Sequence, residues 1–381
     1  MLEQIRLENF KSFKDQEIEL RPLTLLSGLN GMGKSSVLQS LLLLRQSYQQ
    51  RILREDGGAA SGLLLNGELV QLGTGYDILF SSAEKDEIRI TLQFDSLGKT
   101  AWRFEYDRQT DVLKHFDSKQ TLNIYESSLF TTDFQYLQAE RLGPRTSYDM
   151  ADFTVRSLRQ IGSQGQFTAH FLNEYRDTDV ESALVHPKGL SNSLLDQVAG
   201  WMGEVSPGTV INVEKFGEMD LMRLMFGFAR ADTVGDVRYY RPTNVGFGIS
   251  YTLPVLVALL SAKPGALILL ENPEAHLHPR GQSQIGDLIA RAAGAGIQVI
   301  LETHSDHILN GIRIAVREGR VAPEQVALHF FQRPEDDSES LGVEVLTPEL
   351  NGEGRLDFWP ENFFDEWGKS LDKLLYDGAR P

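Results

Sequence analysis

The segment Gly28-Leu29-Asn30-Gly31-Met32-Gly33-Lys34-Ser35 spaces its glycines, lysine and hydroxyl as G-x-x-x-x-G-K-S/T. That spacing suits one ligand, a polyphosphate. The glycines let backbone N–H groups turn inward around phosphate oxygens, and a helix N-terminus behind them adds a favourable dipole. Asn30, Gly31, Gly33 and Ser36 shape the cradle, Lys34 reaches the β- and γ-phosphates, and the Ser35 hydroxyl is expected to ligate Mg²⁺. Far along the chain, the apolar run Ala266 to Leu270 closes in Glu271-Asn272-Pro273-Glu274. A buried strand ending in carboxylates holds Mg²⁺ and a water beside a γ-phosphate. A second run, Val299 to Leu301, ends in Glu302-Thr303-His304-Ser305, where His304 is expected to sense that phosphate.

Those residues need strands that end together. Residues 4 to 9 and 16 to 20 alternate apolar and polar, and Leu23 to Ser27 leads into the glycine loop. A mostly apolar helix follows from Ser35 and turns polar at Gln46, after which Gly57, Gly58, Gly62 and Gly67 punctuate a looser stretch. Residues 86 to 116 read as successive antiparallel strands, residues 155 to 203 as mainly helical, and strands return from Thr209 to Arg241. Then comes an α/β alternation: helix Thr252 to Ser261, strand 266 to 270, helix Arg280 to Ala293, strand Gln298 to Leu301, helix Asp306 to Glu318. The tail carries a strand over Val326 to Gln332, an acidic loop at Glu335 to Glu339, and a Trp/Phe-rich end. No internal repeat or sustained heptad pattern is present.

Composition narrows the classes. The chain has 381 residues and no cysteine, which excludes disulfide scaffolds, thiolate metal sites and a cysteine nucleophile. No hydrophobic run spans a bilayer and no secretory signal opens the sequence, so a cytoplasmic protein without a membrane partner is expected. Acidic residues outnumber basic ones 53 to 37, for a net charge of −16, so any DNA contact is expected in a local groove. His276, His278, His304 and His307 lack dedicated metal-ligand spacing. Arg141 and Arg145 read equally as ligand contacts or surface ion pairs.

The order of motifs resembles ATPases of the ABC class related to SMC, RecF and OLD proteins. The resemblance rests on Leu7-Glu8-Asn9-Phe10-Lys11-Ser12-Phe13, the phosphate loop, the ENPEAHLHP turn and the ETHSD strand end. More narrowly, the chain is similar to bacterial AAA-type ATPases that carry the Tyr136-to-Arg145 segment and Trp359-Pro360-Glu361-Asn362-Phe363-Phe364-Asp365. The likeness implies an α/β fold, an ABC-type P-loop core in which a mixed sheet is flanked by helices, with an inserted α+β lid subdomain. The expected divisions are 1–84 and 241–330 for the core, 85–240 for the insertion, and 331–381 for the tail.

The resemblance also implies roles. Glu271 falls on the Mg²⁺-coordinating carboxylate, His304 on the switch histidine, and Lys11 and Ser12 beside the nucleotide. Gly248 and Ser250, in Gly246-Phe247-Gly248-Ile249-Ser250, fall on the signature motif that binds ATP across a homodimer; a plain tight turn is the alternative. Gln71 is the candidate for the metal-sensing glutamine. Asn272 stands where the class has its general base, and an amide cannot take a proton from water. Either Glu274 substitutes, or Glu271 changes role, or hydrolysis is slow. The family reading is an ATP-driven dimer or higher oligomer that gates a separate effector, such as a nuclease in anti-phage defence or DNA repair. The chain beyond His304 is expected to be too short for the nuclease that OLD proteins append. A nucleotide-bound scaffold that does not hydrolyse ATP is the main alternative. A small-molecule kinase leaves the Ser250 and His304 segments unexplained, and a transporter subunit lacks its LSGGQ signature.

Overall fold

The computed structural model describes residues 1–53, 61–116, 122–229, 237–334 and 342–376; Gly57, Gly58 and the acidic loop Glu335 to Glu339 lie outside them. Three buried apolar runs cause the central architecture. Leu23–Gly28 (β3), Leu267–Glu271 and Gln298–Glu302 are too apolar to face water on either side, so they pair as parallel strands inside a sheet covered on both faces.

In chain order the labelled elements are β1 (Leu2–Phe10), β2 (Phe13–Glu19), β3, α1 (Lys34–Gln49), β4 (Glu87–Phe94), β5 (Gly98–Glu105) and β6 (Phe134–Leu137). There follow α2 (Leu194–Val205), β7 (Thr209–Phe216), β8 (Leu221–Phe228), α3 (Phe247–Ser261), β9 (Leu267–Glu271) and α4 (Pro279–Gly294). The chain closes with β10 (Gln298–Glu302), α5 (Asp306–Arg317), β11 (Val326–Gln332), β12 (Glu344–Leu346) and α6 (Glu366–Tyr376). The central six-stranded sheet runs β12-β11-β3-β10-β9-β6, parallel except for β12.

Strand alternation divides the interior in two. Leu26, Leu267, Leu269, Ile300 and Phe331 point to one core, shared with α1 and the antiparallel sheet β2-β1-β4-β5. Leu25, Ile268, Leu270, Val299, Leu301 and Phe330 point to the other, built on α3, α4 and α5. The run Leu41 to Leu44 is explained by this layering. Four consecutive leucines cannot share one helix face, and all four are fully buried because α1 lies between the central and antiparallel sheets. Each such side chain contributes about 1.5–3 kcal/mol on leaving water.

The insertion expected over 85–240 differs in the structure. β4 hydrogen-bonds to β1 and β5 to β4, so this pair belongs to the sheet of the first strand. β6 pairs with β9 inside the central sheet. Period-two patterns reveal a strand but not its partner, which sits some eighty residues away. The stretch from 155 to 203 carries only two α-helices, Thr168–Glu174 and α2, among turns and short 3₁₀ and π segments. The strands expected from Thr209 onward include β7 and β8, which pair as an antiparallel hairpin. Helix α3 starts at Phe247, five residues before the expected Thr252, because Gly246 serves as its N-cap.

The tail is anchored through Phe363, fully buried and 5.4 Å ring-to-ring from Phe330, while Leu374 on α6 is 78% exposed. Phe363→Ala is expected to cost about 3–5 kcal/mol in urea unfolding of the full chain. Leu374→Ala should stay within about 0.5 kcal/mol of wild type.

Candidate nucleotide and metal site

The glycine loop leaves the sheet at Gly28, whose φ of +133° and contact with β11 both require glycine: an added Cβ would lie 2.1 Å from the Phe331 carbonyl oxygen. Gly33 caps α1 in the left-handed conformation, and a Cβ there would meet the Phe13 ring at 2.8 Å. The β1–β2 hairpin therefore leans on the phosphate loop through Phe13. Lys11 donates to Gln39 on α1 at 2.7 Å, and burial holds its pKa below the ordinary lysine value. Asn30 and Gly31 form the exposed tip of the loop, and the Ser36 N–H closes the first turn onto the Gly33 carbonyl.

Lys34 is buried and donates to the carbonyls of Gly28 and Leu29, each at 2.9 Å, with its pKa lowered by burial. Ser35, one residue on, donates to the Glu302 carboxylate at 2.8 Å. This contact was not anticipated. β10 sits between β3 and β9, and Glu302 pairs in register with Glu271, so the carboxylate beside the phosphate loop comes from the histidine strand. The signal was legible: β9 and β10 are each an apolar run closed by a glutamate.

Glu271 is turned toward the other neighbour. Its oxygens accept the Tyr136 hydroxyl at 2.9 Å and the Ala139 N–H at 3.1 Å, both at the end of β6. Asn272 has a φ of 45°, donates its N–H to the Glu302 carbonyl, and offers its own carbonyl to Arg141 at 2.7 Å. Glu274 is buried, accepts the His304 N–H at 3.1 Å and has the Thr303 hydroxyl beside it. Burial raises the pKa of Glu302 and Glu274 above the ordinary carboxylate value. His304 opens onto a cavity of about 540 Å³ shared with Phe364 and Glu366. Desolvation first, then the Lys34 ammonium, lowers the His304 pKa and keeps the ring neutral. Hydroxyl and carboxylate oxygens are the donors Mg²⁺ takes, with phosphate and water completing its shell. Ser35 and the strand-end carboxylate that contacts it, Glu302, fit that ion.

Arg141 is a clip rather than a surface or ligand-binding residue. It is buried and donates to the carbonyls of Glu271, Asn272 and Gln138 at 2.8, 2.7 and 3.2 Å, and burial pulls its pKa down to about 10. Arg145 is exposed. His276 packs edge-on against Phe247 and Tyr251, and His278 caps α4. Gln71 and Glu271 are among the residues that line one cavity of about 850 Å³.

The signature segment opens α3 rather than preceding it. Ser250 lies within the first turn of α3 and is buried, and its hydroxyl has no hydrogen-bond partner. Gly248 is held for packing, since a Cβ would fall 2.6 Å from the His276 carbonyl oxygen. What projects at this helix end is Gly246, with open space around it, and Phe247, 44% exposed.

A phosphate loop and a carboxylate-ended strand separated by the histidine strand define an ABC-class P-loop ATPase fold of the SMC and RecF kind. Two solved structures share that fold. The chain covers 92% of itself and 98% of an SmcHead bound to the C-winged helix domain of ScpA, at a TM-score of 0.53 and 14% identity. It covers 98% of itself and 99% of an Smc head domain with an extended coiled coil bound to the C-terminal domain of ScpA derived from Pyrococcus furiosus, at 0.52 and 12%. The chain belongs to the family described as "AAA domain, putative AbiEii toxin, Type IV TA system", whose model matches residues 23–310. A model described as a protein of unknown function (DUF3696) matches 321–374. Two DNA replication and repair proteins RecF, from two strains of Desulfitobacterium hafniense, are 38% identical over 52 residues, 13% of this chain and only 14% of their own length.

A carboxyl whose pKa is raised by folding adds stability in acid that is lost as pH climbs above its unfolded value. Glu274→Gln is therefore expected to gain stability relative to wild type as pH rises from 4.5 to 7, measured by urea midpoints across that range.

Proposed function

We propose that this chain binds ATP with Mg²⁺ at the loop around Lys34 and Ser35 and hydrolyses it slowly. The single observation behind this reading is the Ser35–Glu302 hydrogen bond, which joins the phosphate loop to the carboxylate and histidine edge of the sheet. Lys34 would neutralise the β- and γ-phosphates, and the loop amides would hold the α- and β-phosphates. Ser35, with one of the two strand-end carboxylates, would hold the metal, which when bound supplies charge neutralisation at the β- and γ-phosphates. A water attacks the γ-phosphorus, the bond from that phosphorus to the bridging oxygen breaks, and ADP leaves. His304, neutral beside Lys34, would donate or accept one hydrogen bond at the γ-phosphate.

Slow turnover follows from the carboxylates. The position after Glu271 is an amide, and one oxygen of Glu274 is already engaged by the His304 N–H. The Glu274 carboxyl, with its raised pKa, is the group best able to take the proton from water. The same engagement favours a second reading, a nucleotide-bound scaffold without turnover.

We further propose that ATP closes a cytoplasmic homodimer, with the α3 N-terminus of one copy meeting the phosphate of the other, and that closure is passed to a separate effector. Gly246 and Phe247 would do the contacting; the backbone N–H groups of that turn supply donors that the buried Ser250 does not. A partner protein finds support in the SMC heads, which are solved with ScpA domains, and a DNA context in the short RecF match. An anti-phage setting with a nuclease effector rests on the resemblance of the motifs and on the toxin–antitoxin description of the family.

Light scattering with an ATPase readout tests both layers. ATP is expected to double the mass of the wild type, and Lys34→Ala to lose binding and turnover together. Gly246→Arg, placed where there is open space, should block the doubling while single-chain ATP binding persists. Steady turnover with no change in mass would remove the dimer; binding with no turnover would select the scaffold.

A further inference from the structure

We infer that Glu302, not Glu271, is the carboxylate that positions the metal, acting through the Ser35 hydroxyl; the inference rests on the ATP-site reading above. Three observations converge on it. Ser35 is the loop hydroxyl available to a cation, and it already donates to Glu302 at 2.8 Å. β10 is the direct neighbour of β3, while β9 lies one strand beyond it. Because Glu271 and Glu302 are paired in register, Glu271 stands one strand spacing, about 4.7–4.9 Å, farther from the phosphate loop. Finally, both oxygens of Glu271 are taken up on its far side, by Tyr136 and Ala139 of the β6 end.

A carboxylate that accepts from a metal-ligating hydroxyl fixes the hydroxyl's orientation and turns its lone pairs to the ion. Groups in that outer position typically change metal affinity by about 10- to 100-fold. Glu271 then serves a different purpose: with Tyr136 and Arg141 it locks the β9 turn to the segment after β6. Glu302 is thus a positioning residue supplied by the histidine strand, and it puts the metal site and His304 on one rigid element two residues apart.

The test is a Mg²⁺ titration of full-length protein with a fluorescent ATP analogue, read as bound nucleotide rather than turnover. Glu302→Gln is expected to raise the Mg²⁺ midpoint by about 10-fold or more, with metal-free nucleotide affinity unchanged. Glu302→Asp, which keeps the charge, should stay closer to wild type. Ser35→Ala combined with Glu302→Gln should add little to either alone, whereas Glu271→Gln should leave the midpoint in place. Circular dichroism melts confirm that each variant is folded; the neutral Gln sits in a site where burial already disfavours the charge. A wild-type midpoint in Glu302→Gln, or a shift confined to Glu271→Gln, overturns the inference alone. Failure of the wild type to bind the analogue at any Mg²⁺ concentration overturns the ATP-site reading itself.

Discussion

A strand buried on both faces can become polar only where it ends, and β3, β10 and β9 are neighbours that end on the same edge. That constraint gathers the chemistry of this protein. Each strand is filled with Leu, Ile or Val until its last residues, then releases a glycine loop, Glu302 or Glu271 into the crevice beyond the sheet. The two cores on either side of the sheet hold those ends in place. α1 is clamped between layers by leucines on all its faces, so Lys34 and Ser35 at its first turn have little freedom to drift. Even the loop's departure is dictated by packing, because the β11 backbone leaves no room for a side chain at Gly28.

Around that edge, charge is concentrated and tightly tied. Glu302 lies within electrostatic reach of Lys34, Glu271 and Glu274, and burial raises the pKa of Glu302 and Glu274. Arg141 answers with neutral partners: it donates to backbone carbonyls on both sides of the Glu271 turn and lies over the Tyr251 ring. The turn after β9 is thereby built as a rigid strap joining β6, β9 and α3. Asn272 fits the same account, since its backbone rather than its amide side chain is used by its neighbours.

Much of this was legible in the sequence for a physical reason: phosphate loops and carboxylate-ended strands are local patterns, read within ten residues. Gly28 to Ser35, Glu271 and His304 all fell where strand ends were expected. What local pattern cannot carry is pairing. The alternation in residues 87 to 105 marked strands but not that they join β1, and nothing in it separates a lid from a second layer of the core. Glu302 stood in plain view, yet its importance depends on β10 lying between β3 and β9, which is topology. The start of α3 was read five residues late because Gly246 and Gly248 read as a loop. In the fold one is a helix cap and the other a close contact with the His276 carbonyl. Arg141 read equally as a ligand contact or a surface ion pair because a buried arginine satisfied by carbonyls leaves no sequence signature.

The central claim is that the edge formed by β3, β10 and β9 is one triphosphate and metal site, and a crystal structure with Mg²⁺ and a non-hydrolysable ATP analogue tests it directly. The account expects the phosphates in the Gly28–Ser35 loop, Lys34 transferred from the Gly28 and Leu29 carbonyls to the β- and γ-oxygens, and the metal on Ser35 with Glu302 behind it. A nucleotide bound elsewhere on the chain, or a metal with neither Ser35 nor Glu302 in its surroundings, would contradict it.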